Sequence, residues 1–127
     1  MMTQGMDINK DLVAASATPL VLAILAERDS YGYAILKRVS ELSGGRLEWS
    51  DGMLYPVLHR LERLGYIAGK WRKSESGRRR KYYRITPQGT KRLAAERRQW
   101  QAVDDALRNV WSLLAVPAAS APLPGGY

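Results

Sequence analysis

Residues 50–85 read SDGMLYPVLHRLERLGYIAGKWRKSESGRRRKYYRI, and the period of the apolar residues changes partway along. Leu54, Val57, Leu58, Leu61 and Leu64 recur at helical spacing behind Ser50, a residue type that caps helix starts. Gly65 stops that run. Beyond it, Tyr66 to Lys73 and Arg79 to Ile85 are partly aromatic and β-branched, and they flank a Gly-containing turn at Ser74–Arg78. That pattern predicts a two-stranded hairpin directly after a helix.

Two more helices are expected upstream. Thr18-Pro19 offers a cap residue and the proline favoured at the first helical position. Leu20, Val21, Leu22, Ile24 and Leu25 follow, apolar nearly all round, so this helix must be buried, in part against a second copy of the chain. Ser30 is placed to cap a second helix with apolar positions at Tyr31, Ala34, Ile35, Val39 and Leu42, ended by Gly44-Gly45. Residues 46–49 form a short extended link. Downstream, Thr86-Pro87 repeats the cap-and-proline device and opens a long helix to about Leu114, roughly 42 Å. The expected class is mainly α with a small β-hairpin: a winged helix-turn-helix plus a long C-terminal dimerisation helix. The winged helix-turn-helix covers 1–86, with a mobile N-terminus over 1–9. The dimerisation helix covers 87–114, and a Pro/Ala/Gly-rich disordered tail covers 115–127.

Composition narrows the chemistry. The chain has 127 residues, 20 Lys and Arg, 12 Asp and Glu and one His, for a net charge of +8. Its 46% hydrophobic and 25% charged content is that of a globular domain. Without cysteine there is no disulfide or thiolate zinc site, and a lone His59 forms no pair for a transition metal. No acid, base and nucleophile constellation is present, so no enzyme, cofactor or metal is expected. No apolar run nears the ~20 residues of a membrane span, and the expected location is the cytoplasm. Residues 70–92 hold ten Lys and Arg against Glu75 alone, a net +9, while the other 104 residues sum to −1. Such a strip suits a polyanion.

In a winged helix-turn-helix the third helix enters the major groove and the hairpin lies along the backbone. The face of that helix opposite its leucines presents Ser50, Asp51, Gly52, Met53, Tyr55 and His59. Gly52 lets the backbone approach a duplex, and Tyr55 can donate to a phosphate. Asp51 either accepts from a cytosine amino group or only complements the helix dipole. Pro56 is expected to bend or loosen the first turn. On the hairpin, Arg78, Arg79, Arg80 and Lys81 are expected to bind phosphates or to insert an arginine into a narrow minor groove. One of Tyr82 and Tyr83 packs on the third helix, and alternation does not say which. In the long helix, Leu93, Trp100, Val103, Leu107, Val110 and Leu114 recur at seven, three, four, three and four. That is an a/d seam with Glu96 as its polar intruder, and with Leu20 it predicts a homodimer interface. Two such helices address a pseudo-palindromic double-stranded operator. A nonspecific nucleic-acid binder and a protein-interaction winged helix are the alternatives.

Tyr31-Gly32-Tyr33-Ala34-Ile35, Leu54-Tyr55-Pro56-Val57-Leu58-His59-Arg60-Leu61-Glu62 with Gly65-Tyr66-Ile67, and Gly77-Arg78-Arg79-Arg80-Lys81-Tyr82-Tyr83-Arg84-Ile85-Thr86 with Gly89 make the chain resemble the PadR family of bacterial transcriptional regulators. The likeness is to its short subfamily with a single C-terminal helix and covers about residues 12–114. Met53 stands where the family commonly has Thr. The resemblance implies a homodimeric DNA-binding repressor that lets go of DNA on binding a small effector. Some short members line a pore at the dimer interface with a Trp and, four residues on, an Asp, and hold flat aromatic compounds there. The ligand residues it implies here are Trp100, Val103 and Asp104, with Leu12, Ala15 and Pro19 of the first helix. Two copies of Trp100 across a two-fold would sandwich a planar aromatic cation balanced by Asp104. Read from the seam alone, Trp100 is an ordinary core knob.

Overall fold

Asn9 begins the first helix: its Oδ1 accepts from the Asp11 amide at 2.7 Å. Asp11, in the first turn, complements the positive end of the helix dipole. The computed structural model describes residues 8–114 and runs this helix, α1, over Lys10–Glu27. The expected start at Thr18-Pro19 is therefore corrected. Residues 10–17, with Lys10, Leu12 and three alanines, propagate the helix through that cap signal. Pro19 lies inside α1, where it forfeits one backbone bond. Thr18 Oγ1 does not cap; it accepts from the Arg60 guanidinium at 3.0 Å.

Ser30 does not cap the second helix either. With Tyr31 it forms a two-residue strand, β1 (Ser30–Tyr31), and α2 (Gly32–Leu42) starts behind Tyr31 without a side-chain cap bond. The partners of β1 lie some fifty residues on. α3 (Asp51–Arg63) comes first, then the hairpin strands β2 (Ile67–Lys73) and β3 (Arg79–Ile85). Ser30 pairs with Tyr83 and Tyr31 with Tyr82, giving a three-stranded antiparallel sheet in the order β1-β3-β2. The hairpin itself is as expected: its register runs from Ile67 opposite Ile85 to Lys73 opposite Arg79. Gly77 turns it at φ 87°.

The other two expected caps form. Ser50 Oγ accepts from the Met53 amide at 3.2 Å and opens α3, and Gly65 at φ 83° ends it. Thr86 Oγ1 accepts from the Gly89 amide at 3.0 Å and donates to the Gly65 carbonyl at 2.6 Å. This opens α4 (Pro87–Leu114) and ties its start to the end of α3. Gly89 must be glycine, because a Cβ there would run into the Tyr66 carbonyl.

Val21, Leu22 and Leu25 of α1, Ile35 and Val39 of α2, Leu54, Leu58 and Leu61 of α3, Ile67 and Tyr83 are buried together. Each large apolar side chain there contributes about 1.5–3 kcal/mol by leaving water. Trp49, expected only as part of the link, is buried in the same core. Its Nε1 has no hydrogen-bond partner among the described residues. Leu20 and Leu93 are partly buried against this core.

The chain divides into two compact units between Leu93 and Ala94, within α4. In the second unit Trp100 Nε1 donates to Glu96 Oε1 one turn back, at 3.2 Å, so the tryptophan of the seam pairs its polar intruder. Asp104 accepts from Arg108 Nε at 2.7 Å. Val103, Leu107, Val110 and Leu114 are 43–65% exposed. The tail expected over 115–127 and residues 1–7 of the expected mobile N-terminus lie outside the described residues. Asn9, the residue immediately before α1, is held by its cap bond. Among the described residues no helix is long and apolar enough to cross a membrane.

Candidate nucleic-acid interface

The register of the hairpin sorts its side chains between two faces. Residues directly opposite in an antiparallel pair share a face. Tyr83, Lys81, Arg79 and Trp71 therefore point to one side, and Tyr82, Arg80, Arg72 and Lys70 to the other. Tyr83 is in the core, so the first side is that of α3, which settles the choice between the two tyrosines. Burial pushes the Tyr83 hydroxyl pKa above its usual value.

Glu62, near the end of α3, holds the two strands to the helix. Its Oε2 accepts from the Gly69 amide at 3.3 Å and its Oε1 from Lys81 Nζ at 3.1 Å. The Glu62 hydrogen bond raises the Lys81 pKa, and much of that cation's field is directed at the carboxylate. A Cβ at Gly69 would displace the end of the Lys81 side chain and stand tightly against Glu62 and Tyr83.

The opposite face carries a ladder of rings and guanidinium groups. Arg80 lies 4.3 Å over Tyr31, and Arg72 lies 4.2 Å over Tyr82. The two rings meet edge to face at 5.3 Å. Arg72 also reaches Asp29 at 3.8 Å. Each such cation–π contact at an exposed site contributes about 0.5–1 kcal/mol. Arg80 thus steadies the sheet through β1, whereas Arg79 on the other face approaches Trp71 at 5.6 Å.

Between α3 and the hairpin lies an open groove of about 630 Å³. Tyr55, His59 and Arg78 to Lys81 border it, so six of the ten residues expected to meet DNA are brought together. Ser50, Asp51, Gly52 and Met53 lie at the start of α3, outside that lining. Ser50 Oγ is engaged in its cap, and Met53 packs partly against the core. A Cβ at Gly52 would meet only Ser50 Oγ, at an ordinary 3.8 Å, so the protein's own packing does not demand glycine there. Gly32 differs: a Cβ there would strike the Tyr55 hydroxyl, which lies over the start of α2. The Tyr55 ring is 6.5 Å from that of His59.

Sequence reasoning missed Glu62, Tyr33 and Trp71 as members of this region. Trp71 was legible, since it alternates onto the same face as Arg79 once the register is fixed. Glu62 was not, because its partners are seven and nineteen residues away. Of the ligand residues implied by resemblance, Leu12 and Ala15 are exposed and Pro19 half-buried on α1. On α4, Trp100 is half-buried and Val103 exposed, and Asp104 is engaged with Arg108.

The transcriptional regulator PadR-like family matches the chain over residues 21–95. A transcriptional regulator of Mycobacterium tuberculosis is 41% identical over 70 residues, which is 55% of this chain and 62% of that protein. A transcriptional regulator from Clostridium thermocellum superposes with a TM-score of 0.72 at 31% identity, over 79% of this chain and 97% of that one. A PadR family transcription regulator from Clostridium difficile gives 0.66 at 31% identity, over 75% and 97%.

Proposed function

The chain belongs to the transcriptional regulator PadR-like family, and from that premise we propose that it is a homodimeric, sequence-specific DNA-binding repressor released by a small planar aromatic effector. The observation that carries the reading is the groove in which Tyr55 and His59 of α3 face Arg78 and Arg79 of the wing. Helix and wing then take adjacent parts of one duplex, base edges in the major groove and phosphates beside it. The exposed start of α3 contributes Ser50, Asp51, Gly52 and Met53 to base contact, with Gly52 keeping the surface low. Arg80 and Lys81 add positive potential, although each is also held by a ring or a carboxylate. The exposed apolar side chains of α4 supply the surface for a second copy. Two copies of Trp100 flanked by Val103 and Asp104 form the effector site, with Asp104 exchanging Arg108 for a bound cation.

The test is a gel shift with duplex from upstream of the protein's own gene, in excess random competitor, across a salt series. A specific complex is expected, and candidate aromatic compounds should dissolve it. Replacing Arg78 and Arg79 with Ala should weaken binding to all sequences alike and lower the salt slope by about two, one phosphate each. An unchanged slope removes the wing from the interface. Equal competition by random duplex favours a nonspecific binder.

A further inference from the structure

The sheet has a second face, turned away from α3 and the core, and Lys70, Arg72, Tyr82 and Arg84 point to it. Its three cations are exposed and border an open concavity of about 230 Å³, lined also by Ala68 and Tyr82. Asp29, at its margin, is the one carboxylate among the described residues that line it. The strand register sets the cations in a row. Arg84 stands opposite Ala68 and Tyr82 opposite Lys70, so Arg84, Lys70 and Arg72 occupy three successive steps of the face. Each step is about 6.8 Å along the strands. Like charges at such steps repel in the free protein, and a matching anion relieves them.

Asp29 shows which anion the row accepts. Its Oδ2 stands 3.8 Å from Arg72 Nη2, outside hydrogen-bond reach, so the pair is loose. The Tyr82 ring, 4.2 Å from the Arg72 guanidinium, holds that group against the sheet while Nη2 still turns to a carboxylate. Tyr82 and Tyr31 already lie under guanidinium groups, so an unpaired base finds its stacking partners taken.

We propose that this back face of the wing docks an extended acidic segment of a partner protein, with a carboxylate at every second residue. Alternate side chains of an extended chain fall on one side and repeat at the same step of about 6.8 Å. Three of them therefore meet Arg84, Lys70 and Arg72 in turn, and the last displaces Asp29. A single extended strand runs past Asp29, whereas a rigid duplex, being broad, presses its phosphates onto that carboxylate. Because the face is opposite the side turned to α3, one chain holds duplex and partner together and brings an acidic protein to the DNA it occupies. That joint occupancy, though not the docking itself, rests on the function proposed above.

The probe is a dye-labelled peptide alternating Glu and Thr, with three glutamates, titrated into the full chain by fluorescence anisotropy at about 0.15 M salt. Its isomer with the three glutamates consecutive and its Lys-Thr counterpart carry the same dye. The alternating peptide is expected to bind at least about fivefold more tightly than the isomer and far more tightly than the Lys-Thr peptide. Lys70→Gln with Arg84→Gln should weaken it at least about tenfold. Asp29→Asn, which removes the competing carboxylate, should tighten it by about twofold to threefold. Lys37→Gln, an exposed cation of α2, should change nothing. All the altered side chains are exposed, and far-UV circular dichroism checks that the variants stay folded. Equal binding of the isomer, undiminished binding in the double variant, or no gain in Asp29→Asn overturns the proposal. So does loss in Lys37→Gln, which moves the peptide to α2. The titration is then repeated on chain saturated with duplex from upstream of its own gene. Retained peptide affinity supports joint occupancy, while displacement of the peptide gives this face to DNA and overturns the proposal. A chain that binds the peptide through Lys70 and Arg84 but binds no duplex keeps the docking face and loses the proposed function.

Discussion

Gly32 shows how one missing side chain positions another. A Cβ there would meet the Tyr55 hydroxyl, the far end of a side chain that can rotate away. Gly32→Ala therefore moves Tyr55 without disturbing the core. In a helix Ala is also favoured over Gly by up to about 1 kcal/mol. The variant should melt no lower than the parent yet bind operator duplex roughly fivefold to tenfold more weakly, about 1–1.4 kcal/mol. A gel shift paired with a thermal melt checks this. Unchanged affinity would mean that the seat of Tyr55 does not matter to DNA. Glu62 is the complementary case at this scale. In the sequence it is one carboxylate among arginines, and only the folded chain shows it joining the Gly69 amide to the Lys81 ammonium.

At the scale of elements, β3 ties the sheet together, because it is the middle strand and carries Lys81 and Tyr83 on one face. Both pKa values are raised, that of Tyr83 chiefly by burial and that of Lys81 chiefly by its bond to Glu62. A folded-state pKa raised above the unfolded value gives stability that is complete below the unfolded value and lost as pH climbs through the folded one. The unfolded references are 10.0 for Tyr83 and 10.5 for Lys81, so the window is alkaline. Urea midpoints should hold up to about pH 10 and then fall, and Tyr83→Phe should delay that fall by removing the earlier group. A variant that falls as early and as steeply as the parent would remove Tyr83 from the account. The elements themselves were legible wherever a periodic apolar face met a local cap, as in α3 behind Ser50, the hairpin around Gly77, and α4 behind Thr86. They were illegible where the deciding partner is remote. Ser30 has the chemistry of a cap, but pairing with Tyr83 makes it a strand residue. Thr18-Pro19 has the pattern of a helix start, but Asn9 nucleates earlier and Arg60 takes the threonine hydroxyl. The candidate site divides the same way. Its cations and rings could be read from the strip at 70–92, while the division of labour between Arg79 and Arg80 needed the register.

For the whole molecule, the +8 of the chain is a basic wing on a nearly neutral body, and affinity for a long operator depends on how many wings act together. Val103, Leu107 and Val110 of α4 are exposed in the single chain, and burying such a seam against a second copy would remove a row of apolar side chains from water. A dimer presents two copies of α3 to half-sites about one helical turn apart, and linkage makes the second engagement intramolecular. Leu107→Glu with Val110→Glu places four carboxylates in the paired seam while leaving residues of good or moderate helix propensity on α4. Light scattering should report half the parent's mass. Binding to a two-half-site duplex should weaken by about a hundredfold or more, while binding to an isolated half-site stays within about twofold. Full mass in the variant would take the seam out of the dimer. Half mass with undiminished affinity for the long duplex would show that one chain suffices on DNA, and the pseudo-palindromic operator would go with it.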